Sequence, residues 1–250
     1  MKIDLQNKNI LVTGSSRGIG AAISKELGKS GARIAIHYNR EKHSAEKIAN
    51  TIGNNSKVFK ANLRYPDNCE LLFNGVLKEF GHIDAIINNA GTAIFSPLDS
   101  ENWVKEWDET MSINLRAIGI LCKLAIQHFK TRKCGRIINI ASRAAFRGDN
   151  EEYLAYAASK AGIVSLSKSI ARAFGKDGIT CFVVAPGWVK TDMADETIEE
   201  YGEDYILKGI SLNRLTEPKD IAPIVTLLAS GLADHATGTT IDINAASYVH

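Results

Sequence analysis

Short apolar runs alternate with longer stretches of helical period along this chain. Asn9–Thr13 (NILVT), Arg33–His37 (RIAIH), Lys57–Ala61, Ile83–Asn88, Arg136–Ala141 (RIINIA), Thr180–Ala185 and Thr239–Ile243 read as strands. Several are apolar without alternation, the mark of strands buried on both faces. Helical patterns lie between them: from a Gly-rich turn to about Ser30, Glu41–Ile52, about Asp67 to Phe80, two amphipathic stretches ending near Arg132, Tyr153–Phe174 and Pro218–Ala229. This alternation predicts an α/β fold, one open doubly wound parallel sheet with helices on both faces. No Pro- or Ser-rich linker interrupts it, so residues 1–250 are expected to form a single domain. Trp188–Asn213 differs, being charged and weakly periodic. It directly follows a strand end, where ligands bind in such sheets, and 188–213 is therefore expected to be a substrate lid.

Composition narrows the function class. Apolar residues make up 45% and charged residues 23%, ordinary globular values. A net charge of +2 gives no basis for nucleic acid or a membrane surface as partner. No apolar run reaches the roughly 18 residues of a membrane span, and the polar start does not resemble a signal peptide. Cys69, Cys122, Cys134 and Cys181 form no C-x-x-C pair, which predicts reduced thiols and a cytoplasmic protein. The histidines are scattered without ligand spacing, so no metal is expected.

The first strand runs into Thr13-Gly14-Ser15-Ser16-Arg17-Gly18-Ile19-Gly20. Glycines let backbone approach a ligand closely, and the helix that follows offers free N–H groups to a pyrophosphate. Gly14, Ser16, Arg17, Gly18, Ile19 and Gly20 are thus candidate cofactor-binding residues. A nucleoside-triphosphate loop is disfavoured: the only Gly-Lys-Ser, Gly28-Lys29-Ser30, stands at the far end of that helix. At the end of strand two an acid would hold the adenosine ribose and repel a 2′-phosphate. Here Tyr38, Asn39 and Arg40 carry no acid, and Arg17 with Arg40 suits a phosphate. NADP(H) is therefore expected over NAD(H).

Tyr156 and Lys160 are four residues apart in a helical pattern and share one face. An ammonium beside the phenol would stabilise the phenolate and make it a usable general acid and base. Tyr153 is a competing phenol, but it lies about two turns from Lys160.

Taken together, Thr13-Gly14-x-x-x-Gly18-x-Gly20, Asn88-Asn89-Ala90-Gly91, Asn114, Ser142, Tyr156-x-x-x-Lys160 and Pro186-Gly187 resemble the short-chain dehydrogenase/reductase family, over nearly the whole chain. Within it the chain looks most like the 3-oxoacyl-carrier-protein reductases and related carbonyl reductases. The resemblance implies a Rossmann-like sheet of seven strands and reversible hydride transfer between a nicotinamide and a carbonyl/alcohol pair. Tyr156 would protonate the carbonyl oxygen, Ser142 would hydrogen-bond it, Lys160 would tune Tyr156 and hold the nicotinamide ribose, and Asn114 would hold a water. Asn89, Ala90 and Gly91 would line the cofactor channel, Asn62 and Leu63 the adenine. Pro186, Gly187 and Val189 would border the nicotinamide, with Thr191 on its carboxamide.

Several positions depart from the family. Asn62 stands where an aspartate is usual, the loop Arg143–Glu152 is one residue longer than is usual, and Phe182 replaces an asparagine. Asn244-Ala245-Ala246 replaces a glycine-rich turn, and Asp177 stands where carrier-protein reductases often have arginine. The substrate is a small carbonyl or alcohol, with an acyl thioester as a further option. The alternatives are an NAD-linked alcohol or sugar dehydrogenase and a catalytically silent cofactor-binding regulator. Met111–Phe129 and Tyr153–Phe174 carry apolar residues beyond one stripe, including Leu121, Leu124, Ile163 and Leu166, which predicts a homo-oligomer; the resemblance, in which these helices pack against their twins, implies a homotetramer.

Overall fold

Seven strands, β1 (Asn9–Val12), β2 (Arg33–Tyr38), β3 (Lys57–Lys60), β4 (Ala85–Asn88), β5 (Gly135–Ile140), β6 (Ile179–Pro186) and β7 (Thr240–Ile243), pair in the order β3-β2-β1-β4-β5-β6-β7. Every pairing is parallel. The structure, a computed structural model, describes residues 3–191, 202 and 206–249. The expected fold class is the one adopted, with strand ends shifted by one or two residues from the sequence reading.

Successive strand residues face opposite layers, and both layers are apolar. Leu11, Ala35, Ile86, Ile137 and Val183 join one buried cluster; Ile10, Val12, Ile34, Ile36, Ile87, Ile138, Phe182 and Val184 join the other. The first is covered by α3 (Pro66–Phe80), α5 (Ala117–Arg132) and α7 (Leu154–Phe174), the second by α1 (Gly18–Lys29), α2 (Lys42–Ile52) and α8 (Pro218–Ser230). Fully buried Phe73, Phe129 and Phe182 each contribute roughly 1.5–3 kcal/mol of transfer free energy. Phe182 thus serves as packing where the resembling family has an amide.

Two features were invisible to periodicity. A π-helical turn, Ser112–Arg116, joins α4 (Trp103–Met111) to α5, and a short helix, α6 (Ala144–Arg147), occupies the loop after β5. The surplus apolar face proposed for assembly is also smaller than expected. Leu121 and Ile163 are fully buried in the chain's own core, and Leu124 and Leu166 pack partly against it. The chain's own core absorbs Leu121 and Ile163, while Leu124 and Leu166 keep part of their surface exposed.

Strand order reverses beside β1, between β2 and β4, and ligands of such sheets bind in the crevice beyond the strand ends there. The turns after β1, β4, β5 and β6 converge on that edge. Residues 192–201 and 203–205 of the expected lid lie outside the described residues. Its anchored ends are visible: Val189 bridges Thr216, and Ile206, Ile210 and Leu215 cluster with Trp188 and Ala245.

Candidate active site

The turn after β1 is held from three sides. Gly14 has φ of +62°, and a Cβ there would come within 2.9 Å of the Ala90 Cα. Only glycine meets both demands cheaply. The Thr13 hydroxyl accepts the N–H groups of Asn89 and Ala90, each at 3.0 Å. The Asn89 amide donates back to the Thr13 and Gly14 carbonyls at 3.0 and 3.1 Å. Asn89 and Ala90 thus clamp the glycine turn as much as they line a channel. Ser15 is buried and donates to the Val12 carbonyl at 2.8 Å, while Ser16 is half-buried and Arg17 exposed.

His37 completes the clamp, a role the sequence did not reveal. Its Nδ1 accepts the Gly14 N–H at 2.9 Å, and its Nε2 meets the Ala61 carbonyl at 3.1 Å. That pattern requires a neutral ring protonated on Nε2. Burial lowers its pKa to about 4, so the ring stays neutral at physiological pH.

Helix α1 begins at Gly18 with no side-chain cap and no acid in its first turn. Its N–H groups and positive dipole end are left for an anion, which fits the pyrophosphate of a dinucleotide. Thr191 faces Gly18 across the mouth. At the end of β2, Asn39 and Arg40 are exposed, but Tyr38 is buried at 6% exposure in the apolar cluster. Of these three, Asn39 and Arg40 are therefore the side chains open to a 2′-phosphate. Asn62 accepts the Arg64 N–H at 3.1 Å through its side-chain oxygen. Leu63 points into the core, so only its backbone faces the adenine side. Pro186 and Val189 are buried at the end of β6 and just beyond it, and the Gly187 N–H between them donates to the Ile243 carbonyl at 3.0 Å.

The reactive cluster draws on three elements. Tyr156, half-buried on α7, has its phenol close enough to Ser142, which follows β5, for that hydroxyl to act on its pKa. Lys160, one turn further on, is buried; its Nζ donates to the Ile140 carbonyl at 3.0 Å and lies 5.6 Å from the Tyr156 ring centre. Asn114 sits inside the π-turn. Its Oδ1 accepts the Thr92 N–H at 2.8 Å, and its Nδ2 donates to the Thr92 carbonyl at 2.8 Å and to Ser159 Oγ at 3.1 Å. Ser159 in turn donates to the Tyr156 carbonyl at 2.7 Å. The wide turn, a local insertion of the kind often found at functional sites, carries this amide toward α7.

The electrostatics differ from the sequence expectation. Burial raises the Tyr156 phenol above its ordinary value, the Ser142 hydroxyl pulls it back, and the Asp149 charge pushes it up. Burial lowers Lys160 to about 8. The desolvation of both groups outweighs the lowering of the phenol expected from the ammonium. The phenol thus carries its proton at neutral pH in the free chain.

A parallel sheet whose switch point carries such a glycine turn is the architecture of a dinucleotide-binding oxidoreductase. A model of the short chain dehydrogenase family matches residues 8–202, more than half of the chain. The chain belongs to that family, and it is a nicotinamide-dependent oxidoreductase. It is 38% identical over 98% of its length to the whole of a 3-oxoacyl-acyl-carrier-protein reductase from Haemophilus influenzae. A dehydrogenase/reductase from Sinorhizobium meliloti matches 99% of this chain and 98% of its own, at 32% identity and a TM-score of 0.91. A short chain dehydrogenase from Burkholderia cenocepacia, solved in complex with NADP, matches 97% of this chain and 98% of its own at 31% identity and a TM-score of 0.89. Among the described residues no helix is long and apolar enough to cross a membrane.

Proposed function

We propose that this chain interconverts a carbonyl and an alcohol with NADP(H), through Tyr156, Ser142, Lys160 and Asn114. The observation that carries the reading is the meeting of these four side chains, from α7, the turn after β5 and the π-turn, beside the clamped glycine turn. A bound nicotinamide supplies the hydride. The substrate carbonyl oxygen sits between Ser142 Oγ and the Tyr156 phenol, and Tyr156 donates its proton to that oxygen during reduction. Lys160 holds the ribose hydroxyls and returns the proton to Tyr156. The missing side chain of Gly91 keeps this path open: a Cβ there would lie 3.2 Å from Asn114 Oδ1 and 3.4 Å from Lys160 Nζ. Asn114 Oδ1 keeps a lone pair for a water in that space, which links Lys160 to solvent.

Cofactor choice rests on Asn39 and Arg40, exposed at the end of β2 with Arg17 exposed on the glycine turn, and on the NADP bound to the Burkholderia relative. The curated relatives add 3-oxoacyl thioesters to the candidate substrates. Asp177 is paired with Lys130 at 3.7 Å, which reduces the positive charge that edge offers an acidic carrier protein, although Lys133 and Lys176 remain exposed beside it. The chain works as one domain in the cytoplasm and assembles as a homotetramer. The tetramer rests on the family resemblance; a monomer in light scattering at micromolar concentration contradicts it. The function itself is tested by assaying ketones and 3-oxoacyl thioesters with NADPH and NADH separately. Turnover favouring NADPH supports the reading, and equal or better turnover with NADH refutes the cofactor assignment.

A further inference from the structure

Arg143 immediately follows Ser142 and is only 8% exposed. Its N–H donates to the Pro186 carbonyl at 2.9 Å, which fixes it against the segment leading to Trp188. Its guanidinium carbon lies 5.7 Å from the centre of the Trp188 ring. Trp188 is itself anchored on Ile206, Ile210 and Leu215. Arg147 takes the acid of the same loop, Asp149, at 3.6 Å. Among the described residues no carboxylate lies within ion-pair distance of Arg143. A buried cation without a counter-charge is costly, and such groups are normally paired. Here the neighbouring charges are one positive, Arg147, and one negative, Asp149. The Asp149 charge also acts on the Tyr156 phenol, and Arg143 is the residue next to Ser142 in the chain.

We propose that Arg143 receives an anionic group of the substrate, so that the carbonyl compound reduced here carries a carboxylate or phosphate within a few bonds of its reacting carbon. The inference rests on the reading that Ser142 and Tyr156 hold the carbonyl oxygen. A guanidinium presents a planar fork that matches two oxygens of either anion, and the cation–π contact with Trp188 at 5.7 Å helps to position it. Burial and Arg147 together lower Arg143 to about 10, a strain that an arriving anion relieves. A long neutral acyl thioester would leave the cation uncompensated, so a short acidic substrate fits the site better.

The test compares charged and neutral partners of one shape with NADPH: 3-oxobutanoate against its methyl ester, and dihydroxyacetone phosphate against dihydroxyacetone. The wild type is expected to favour the charged member of one pair by at least about 30-fold in kcat/KM, chiefly through KM. The pair that shows the preference identifies carboxylate or phosphate. Arg143→Met keeps the aliphatic stem against Trp188 and removes the charge, and its folding is checked by its thermal melt. In it the ratio should collapse toward one, and Arg143→Lys should fall between. A wild-type ratio near one in both pairs, or a ratio unchanged in Arg143→Met, overturns the proposal. If no carbonyl is turned over, the catalytic reading has failed, and calorimetry of the NADPH complex with oxalate and with inorganic phosphate reads the anion site alone. Binding lost in Arg143→Met supports that site; no binding by the wild type overturns it.

Discussion

The Nδ1 of His37 and the backbone N–H of Gly14 are joined at 2.9 Å, which ties the end of β2 to the turn expected to receive a pyrophosphate. Because the ring is buried and neutral, its folded pKa of about 4 lies below the 6.5 of an unfolded chain. Between those values the unfolded chain binds the extra proton, so stability rises with pH across that window and is lost as pH falls from 6.5 toward 4. The loss is of order 3 kcal/mol. Urea denaturation at pH 5 and 7 should show this slope reduced in His37→Gln relative to the wild type. An unchanged difference between the two pH values would count against the assignment.

The same bond predicts an effect on the cofactor. His37→Leu leaves the Gly14 N–H without its acceptor at a cost of about 1–3 kcal/mol. NADPH affinity, read by nicotinamide fluorescence, should fall about tenfold or more. Normal affinity would mean that the turn is held by Asn89 and Thr13 alone.

Cofactor preference should be switched at Asn39, not at Tyr38. A carboxylate at 38 would be buried, whereas position 39 is exposed at the mouth. Asn39→Asp should lower the NADPH/NADH ratio of kcat/KM by about tenfold or more, through repulsion of the 2′-phosphate. A ratio that does not move would place phosphate recognition elsewhere.

The strands and helices were legible because a sheet buried on both faces leaves continuous apolar runs such as RIINIA at Arg136–Ala141. The motif residues were legible through the resemblance, and the sheet brings Ser142, Tyr156, Lys160 and Asn114 to one edge. The π-turn was not, since a one-residue insertion within a helical pattern leaves the apolar period almost unchanged. His37 was not, because its partner is a backbone N–H that carries no sequence signal. Arg143 was not singled out, because its contact with Trp188 joins residues distant in sequence. The surplus apolar face was misread at Leu121 and Ile163 because wide stripes on α5 and α7 contact both the sheet and each other.

Ala246 occupies the left-handed region at φ of 55°, where the resembling family has a glycine-rich turn. For an L-residue this conformation costs roughly 1–2 kcal/mol. Ala246 is exposed and loses little packing on truncation. Ala246→Gly should therefore stabilise the chain by about 0.5–1 kcal/mol after the added unfolded-state entropy. Destabilisation in urea denaturation would contradict this.

Asp149 lies close enough to hold the Tyr156 phenol up. Asp149→Asn removes that charge, so the phenolate forms more readily and the pKa falls. Alcohol oxidation needs the phenolate as base, and its kcat/KM should rise with pH. In Asp149→Asn that rise should begin at lower pH. A profile that moves to higher pH would contradict the electrostatic account.

The central claim is that Tyr156 is the proton donor, and steady-state kinetics of Tyr156→Phe test it most directly. The change removes one hydroxyl and keeps the ring, so the fold and NADPH binding should survive. General acid catalysis contributes about two to four orders of magnitude, and the loss should appear in kcat. Tyr153→Phe is the control; its ring contacts Phe95 with centres 6.2 Å apart, at the rim of the site. The account predicts kcat lower by about a hundredfold or more in Tyr156→Phe, with NADPH affinity near the wild type and Tyr153→Phe active. Near-normal kcat in Tyr156→Phe, or an inactive Tyr153→Phe beside it, would contradict the assignment.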